Sequence, residues 1–142
     1  MSVPASQRKT SSMEYIKNAT QLAARVARFT HAIPKRYTFQ IGNPLYQHAF
    51  DVVYNCKAAN SVYVNSQATF DQRREYLNAA VTHLDHIETM LDICLELAAQ
   101  NNTNKKLGNI NTYEEIISLI DQEKKLISGC KRHDTQAFKQ NN

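Results

Sequence analysis

Apolar side chains return every three or four positions in four stretches of this chain, and polar or proline-containing breaks separate the stretches. The first places Tyr15, Ala19, Leu22, Val26, Phe29 and Ile33 at 4-3-4-3-4 spacing, which holds one face of an α-helix toward a partner. Ser11 or Ser12 can cap its start, with Glu14 in the first turn. Pro34 has no N–H and disfavours a helical Ile33, so this helix has to stop there. The second run is Leu45, Ala49, Val52, Cys56, Ala59 and Tyr63, widened by Tyr46, Phe50 and Val53. A face that broad meets more than one neighbour, within its own bundle or on another subunit. Its start falls between Thr38 and Leu45: either Pro44 takes the first helical position, or a helix capped by Thr38 is kinked.

After the polar connection Asn65-Ser66-Gln67-Ala68 comes the longest run: Phe70, Leu77, Ala80, Leu84, Ile87, Leu91, Cys94 and Ala98. Arg73 fills the one gap in that stripe. Its side chain either snorkels outward at the end of the bundle or lines a polar channel in an oligomer. Asp85, Glu88, Asp92 and Glu96 fall on an outer, acidic side. The segment from Gln100 to Lys106, continued by Gly108 and Asn109, reads as a loop. Asn111 with Glu114 three positions later resembles a capping box for a last helix, whose apolar side is Ile116, Ile117, Leu119, Ile120, Leu126 and Ile127 and which Gly129 closes. The pattern therefore predicts an all-α chain, an antiparallel up-down four-helix bundle over 11–130, with disordered polar tails at 1–10 and 131–142.

Composition agrees. Three Gly, three Pro and no Trp in 142 residues suit one helical domain, long enough to bury a core without staples. No apolar run reaches membrane-spanning length and the N-terminus lacks a signal-peptide centre, so a soluble, cytoplasmic protein with no membrane partner is expected. Cys56, Cys94 and Cys130 are odd in number and far apart, which reads as free, buried thiols.

Charge changes the picture more. The net charge of +4 conceals a segregation: residues 1–50 carry seven cations against Glu14 alone, Asp71 to Glu123 carry four cations against ten acids, and the segment from Lys124 carries five cations against Asp134. One face for anions and one for cations suits nucleic-acid binding or contact between subunits. Lys17, Gln21, Arg25 and Arg28 share a helix face apart from the apolar stripe, and Lys35 and Arg36 extend it at the proline corner. Catalytic chemistry has no comparable signal. There is no Glu-x-x-His of a di-metal bundle, no phosphate-cradling glycine loop and no nucleophile elbow. His83 and His86 supply two imidazoles where tight sites need three or four ligands, and His31, His48 and His133 have no evident partner, so neither a metal nor another cofactor is expected.

The basic first helix ending in Ala32-Ile33-Pro34-Lys35-Arg36, then Ile41-Gly42, then a helix through Val53, Cys56 and Ala59, resembles a family of small four-helix bundles. It includes the accessory variability determinant of diversity-generating retroelements and proteins encoded in intervening sequences of ribosomal RNA genes. The second branch ends this helix with an Asn-Ile-Ala-Glu-Gly-like signature; Ala58-Ala59-Asn60-Ser61-Val62 departs from it and favours the first. The resemblance implies a non-catalytic homopentameric ring whose basic surface associates with a reverse transcriptase and its template RNA or RNA/cDNA during mutagenic synthesis. Carried onto this chain, it makes Lys17, Arg25, Arg28, Lys35, Arg36, Arg73 and Arg74 the candidate contacts, on one exterior zone. The alternative is an oligomeric structural or regulatory interaction module whose basic face meets only acidic faces of its own copies.

Overall fold

The computed structural model describes the backbone of residues 5–101, 107 and 109–140, and the side chains from Met13 onward with Asn101 excepted. The expectations for residues 1–4 and 141–142 of the tails and for the loop at 102–106 and 108 lie outside the described residues. Four α-helices account for almost all of the rest: α1 (Ala5–Phe29), α2 (Asn43–Ser61), α3 (Gln67–Asn101) and α4 (Ile110–Gln140). They pack α1 on α2, α2 on α3, α3 on α4 and α4 back on α1. The heptad-like stripes meet in one core, with Leu22, Val26, Leu45, Val52, Leu77, Leu84, Ile87, Leu91, Ile116, Ile120 and Ile127 all fully buried.

The proline corner follows the local rules. Thr30 Oγ1 donates to Ala27 O at 2.6 Å as α1 ends, a 3₁₀ turn covers Thr30–Ala32, and Ile33 is extended at φ −78°, ψ 126°, as a residue before proline must be. A second 3₁₀ turn, Lys35–Tyr37, leads into a single π turn over Thr38–Gly42 that runs directly into α2. Both openings foreseen for this helix occur in part: Pro44 sits at its first positions, and the backbone before it is already helical but widened into the π turn. No side chain caps the π turn, and Thr38 lies within it. The start of α3 is capped instead: Ser66 Oγ accepts from Thr69 N–H at 3.2 Å while Thr69 Oγ1 accepts from Ser66 N–H at 3.0 Å, a reciprocal box with threonine in the third position.

The start of α1 and both ends of α4 differ from what the sequence predicts, and α3 takes in Gln67 and Ala68 at its start and Gln100 and Asn101 at its end. The backbone of α1 begins at Ala5, ahead of the expected start at Ser11 or Ser12, through good helix formers such as Gln7, Arg8 and Lys9. The cap of α4 is Asn109, whose Oδ1 accepts from Asn111 N–H at 3.1 Å, so the capping residue stands two positions before the one expected. Gly129 does not close α4, which continues to Gln140. The extension has its own docking surface at the start of α3: Phe138 stacks on Phe70 with ring centroids 4.8 Å apart, and Asp134 and Thr135 receive hydrogen bonds from Arg73 and Arg74. Polar and aromatic contacts, rather than an apolar stripe, carry the last turns. No described helix is long and apolar enough to cross a membrane.

Candidate functional site

Lys17 and Arg28 lie on the solvent face of α1. Eleven residues at 100° each return to within about 20° of the same direction, some 16 Å further along the helix. Lys35 and Arg36 are exposed in the turn beyond, with the Arg36 guanidinium 5.1 Å from the Tyr37 ring centroid. None of these four cations has an acidic partner among the described residues. Phe39, 82% exposed, follows within the π turn.

The other three proposed contacts are engaged inside the molecule, and this corrects the expectation of seven cations on one exterior zone. Arg25 is only 13% exposed and its Nε lies 3.0 Å from Glu115 Oε1. The N–H is not aimed at that carboxylate, so the pair is Coulombic rather than a hydrogen bond. The helix turn that places Arg25 between the outer face and α4 is the reason it is captured. Arg25 and Arg28 also border a cleft of about 290 Å³, where His31, Asn109 and Thr112 join them at the start of α4.

Arg73, 15% exposed, does not snorkel outward but turns into the subunit. Nε donates to Asp134 Oδ2 at 2.6 Å, Nη1 to Ala59 O at 2.9 Å and Nη2 to Cys130 Sγ at 3.1 Å, which ties the end of α2 and the extension of α4 to α3. Arg74 Nη2 donates to Lys131 O and Thr135 Oγ1, both at 2.9 Å, and its guanidinium lies 5.1 Å from the Phe70 ring centroid. Both side chains are fastened down by α4 residues that the sequence reading assigned to a loose tail.

Compared with protein-family models, curated proteins and solved structures, this chain finds no match.

Two further groupings escaped the sequence reading. Glu123 is 0% exposed, at the centre of the core. Its Oε1 accepts from Asn18 Nδ2 at 3.0 Å and its Oε2 from the Cys56 thiol at 3.3 Å, so one carboxyl joins α1, α2 and α4. Burial pushes its pKa up to about 7, with the hydrogen bonds from Asn18 and Cys56 acting in the opposite sense. Its position was readable: Ile116, Ile120, Glu123 and Ile127 continue the 4-3-4 stripe. Burial likewise raises the thiols of Cys56, Cys94 and Cys130, Cys94 to about 11, so none of the three is an activated nucleophile.

The second grouping is His48 of α2 with His83 and His86 of α3. One nitrogen from each ring lies within 4.8 Å of the others. Burial, then the neighbouring His86 and His83, depress the pKa of His48 and favour its neutral ring. His83 and His86 share a face through i, i+3 spacing; His48 comes from 35 residues earlier, and spacing along the chain gives no sign of it. The acidic side of α3 is engaged at one end, where Lys124 Nζ reaches Asp85 Oδ1 at 2.7 Å and Glu88 Oε1 at 2.9 Å.

Proposed function

We propose that this chain is a non-catalytic accessory protein that holds RNA, together with a reverse transcriptase that copies it, along an exposed cationic strip formed by Lys17, Arg28, Lys35 and Arg36. The observation that carries the reading is the exposure of these four side chains with no acid among the described residues against them. Phosphates would fill that role, and such contacts position a nucleic acid without reading its bases. Phe39 supplies an exposed ring beside the strip on which a base can stack. The class of partner comes from the resemblance of the corner Ala32 to Arg36 and Ile41-Gly42 to the retroelement accessory proteins.

The same reading takes the four helices as an up-down bundle that assembles into a ring of five. Phe29 against Tyr113, Arg25 against Glu115 and Asn18 against Glu123 pair α1 with α4 in opposite senses, and Arg73 against Asp134 with Lys124 against Asp85 do so for α3 and α4. Tyr46, Phe50 and Tyr54 form an aromatic ladder along α2, with centroid separations of 3.9 and 6.0 Å, and both tyrosines are exposed. A neighbouring subunit would cover that ladder.

The test is RNA affinity across a salt titration for the wild type and for a variant carrying Lys17→Ala, Arg28→Ala, Lys35→Ala and Arg36→Ala. Four lost phosphate contacts should lower the slope of log affinity against log salt by about 3 for a single strand. An unchanged slope would refute the reading. The ladder favours the alternative, an interaction module without RNA, if the protein forms a stoichiometric oligomer that binds neither RNA nor polymerase.

A further inference from the structure

The groove between α2 and α3 brings three imidazoles to one place. His48 Nδ1 and His83 Nδ1 stand 3.0 Å apart, and the ring centroids are separated by 5.2 Å for His48–His83, 4.7 Å for His48–His86 and 6.0 Å for His83–His86. A shared proton between two neutral rings accounts for the shortest contact. It does not account for His86, which stands edge-on to both.

Nitrogens around a tetrahedral ion at 2.0–2.1 Å are about 3.3–3.4 Å from one another. The three ligand atoms all lie within 4.8 Å of one another, with the Nδ1 atoms of His48 and His83 slightly closer than that range, and rotation of side-chain torsions in these partly exposed rings would bring the separations toward it. A carboxylate stands behind the cluster. Asp51, three residues after His48 on α2, places Oδ2 4.0 Å from Nε2 of His83, the ring nitrogen on the far side from His48. At 4.0 Å this is a charge contact rather than a hydrogen bond; drawn in to hydrogen-bond length, the carboxylate would fix the tautomer that keeps the other nitrogen's lone pair for an ion. Asp51 is itself held, its Oδ1 accepting from Gln47 Nε2 at 3.0 Å.

We propose that His48, His83 and His86 bind one divalent transition ion of the borderline class, Zn²⁺ foremost, with Asp51 orienting His83 and the fourth coordination position open to solvent. The donor set is all imidazole, which suits Zn²⁺, Cu²⁺ and Ni²⁺ and gives Mg²⁺ or Ca²⁺ no oxygen cage. Three protein nitrogens with a vacant fourth position also leave room for an exogenous anion or for a histidine or carboxylate of a second molecule. An ion there would clamp α2 to α3 at mid-bundle.

Calorimetric titration of the chelator-treated full chain with Zn²⁺ alone tests this. One ion per chain is expected, with a melting temperature that rises on addition. His86→Gln, at the exposed member where folding is not at risk, and His48→Ala should each weaken binding at least tenfold; Asp51→Asn should weaken it within the 10- to 100-fold range of outer-shell carboxylates. Co²⁺ in place of Zn²⁺ should give the visible absorption of a four-coordinate site in the wild type and not in His86→Gln. Sub-stoichiometric uptake, or a loss of uptake as large in His31→Ala and His133→Ala as in His48→Ala, would overturn the proposal.

Discussion

Glu123 makes the stability of this protein depend on pH in a direction opposite to that of most carboxylates. Its ordinary value of 4.5 becomes about 7 in the folded chain, so between those limits the native state holds a proton that the unfolded state has released. The stability that this group contributes is fully present below about pH 4.5 and is lost as the pH rises through about 7. The gap, at about 1.4 kcal/mol for each pH unit, amounts to about 3 kcal/mol. Glu123→Gln removes the charge at nearly constant volume, keeps a carbonyl for Asn18, and turns an amide toward Cys56, whose sulfur accepts weakly. Urea denaturation of both proteins between about pH 4 and pH 8 isolates the effect, because the other titrating groups cancel in the difference. The variant should gain about 3 kcal/mol relative to the wild type across that span. Parallel stability curves would refute the reasoning, since they would mean that Glu123 ionises as freely in the core as in the unfolded chain.

Two further substitutions probe α4 and its docking. Gly129→Ala should raise stability by about 1 kcal/mol in thermal or urea unfolding, because a Cβ there meets only the end of Arg132 at 4.0 Å and alanine is the better helix former; a helix that ended at Gly129 would give a loss instead. Arg73→Ala should cost about 3 kcal/mol by stranding Asp134 against buried surroundings, while leaving the salt slope of RNA binding unchanged, the opposite signature to that of the exposed cations.

The apolar stripes were readable because the core is built from them: positions such as Leu22, Val26, Leu84, Ile87, Leu91 and Ile120 are buried where 3-4 spacing puts them. Pro34 announced the corner for an equally local reason, the restriction it places on Ile33. The failures share another cause. Arg73 was on the right stripe, but which acceptors it would find depended on Ala59, Cys130 and Asp134, up to 61 residues away. Arg25 shares a helix with Arg28 and differs from it only in being turned toward Glu115. Glu123 kept perfect register with its isoleucines, and only the habit of assigning carboxylates to the surface hid it. The turns after Gly129 carry too few apolar residues to show a period, because their partners on α3 are a guanidinium pair and a phenyl ring. His48 joined His83 and His86 through helix packing alone.

The docking of α4 beyond Gly129 sets where this folding unit can be cut. A stop or protease nick after that glycine would remove Asp134 and Phe138 together, baring Phe70 and depriving Arg73 of its counter-charge at the opening turns of α3. A fragment trimmed to the apolar stripes should therefore fray from α3 inward, and those final eleven residues of α4 belong with the bundle in any fusion or deletion built on it.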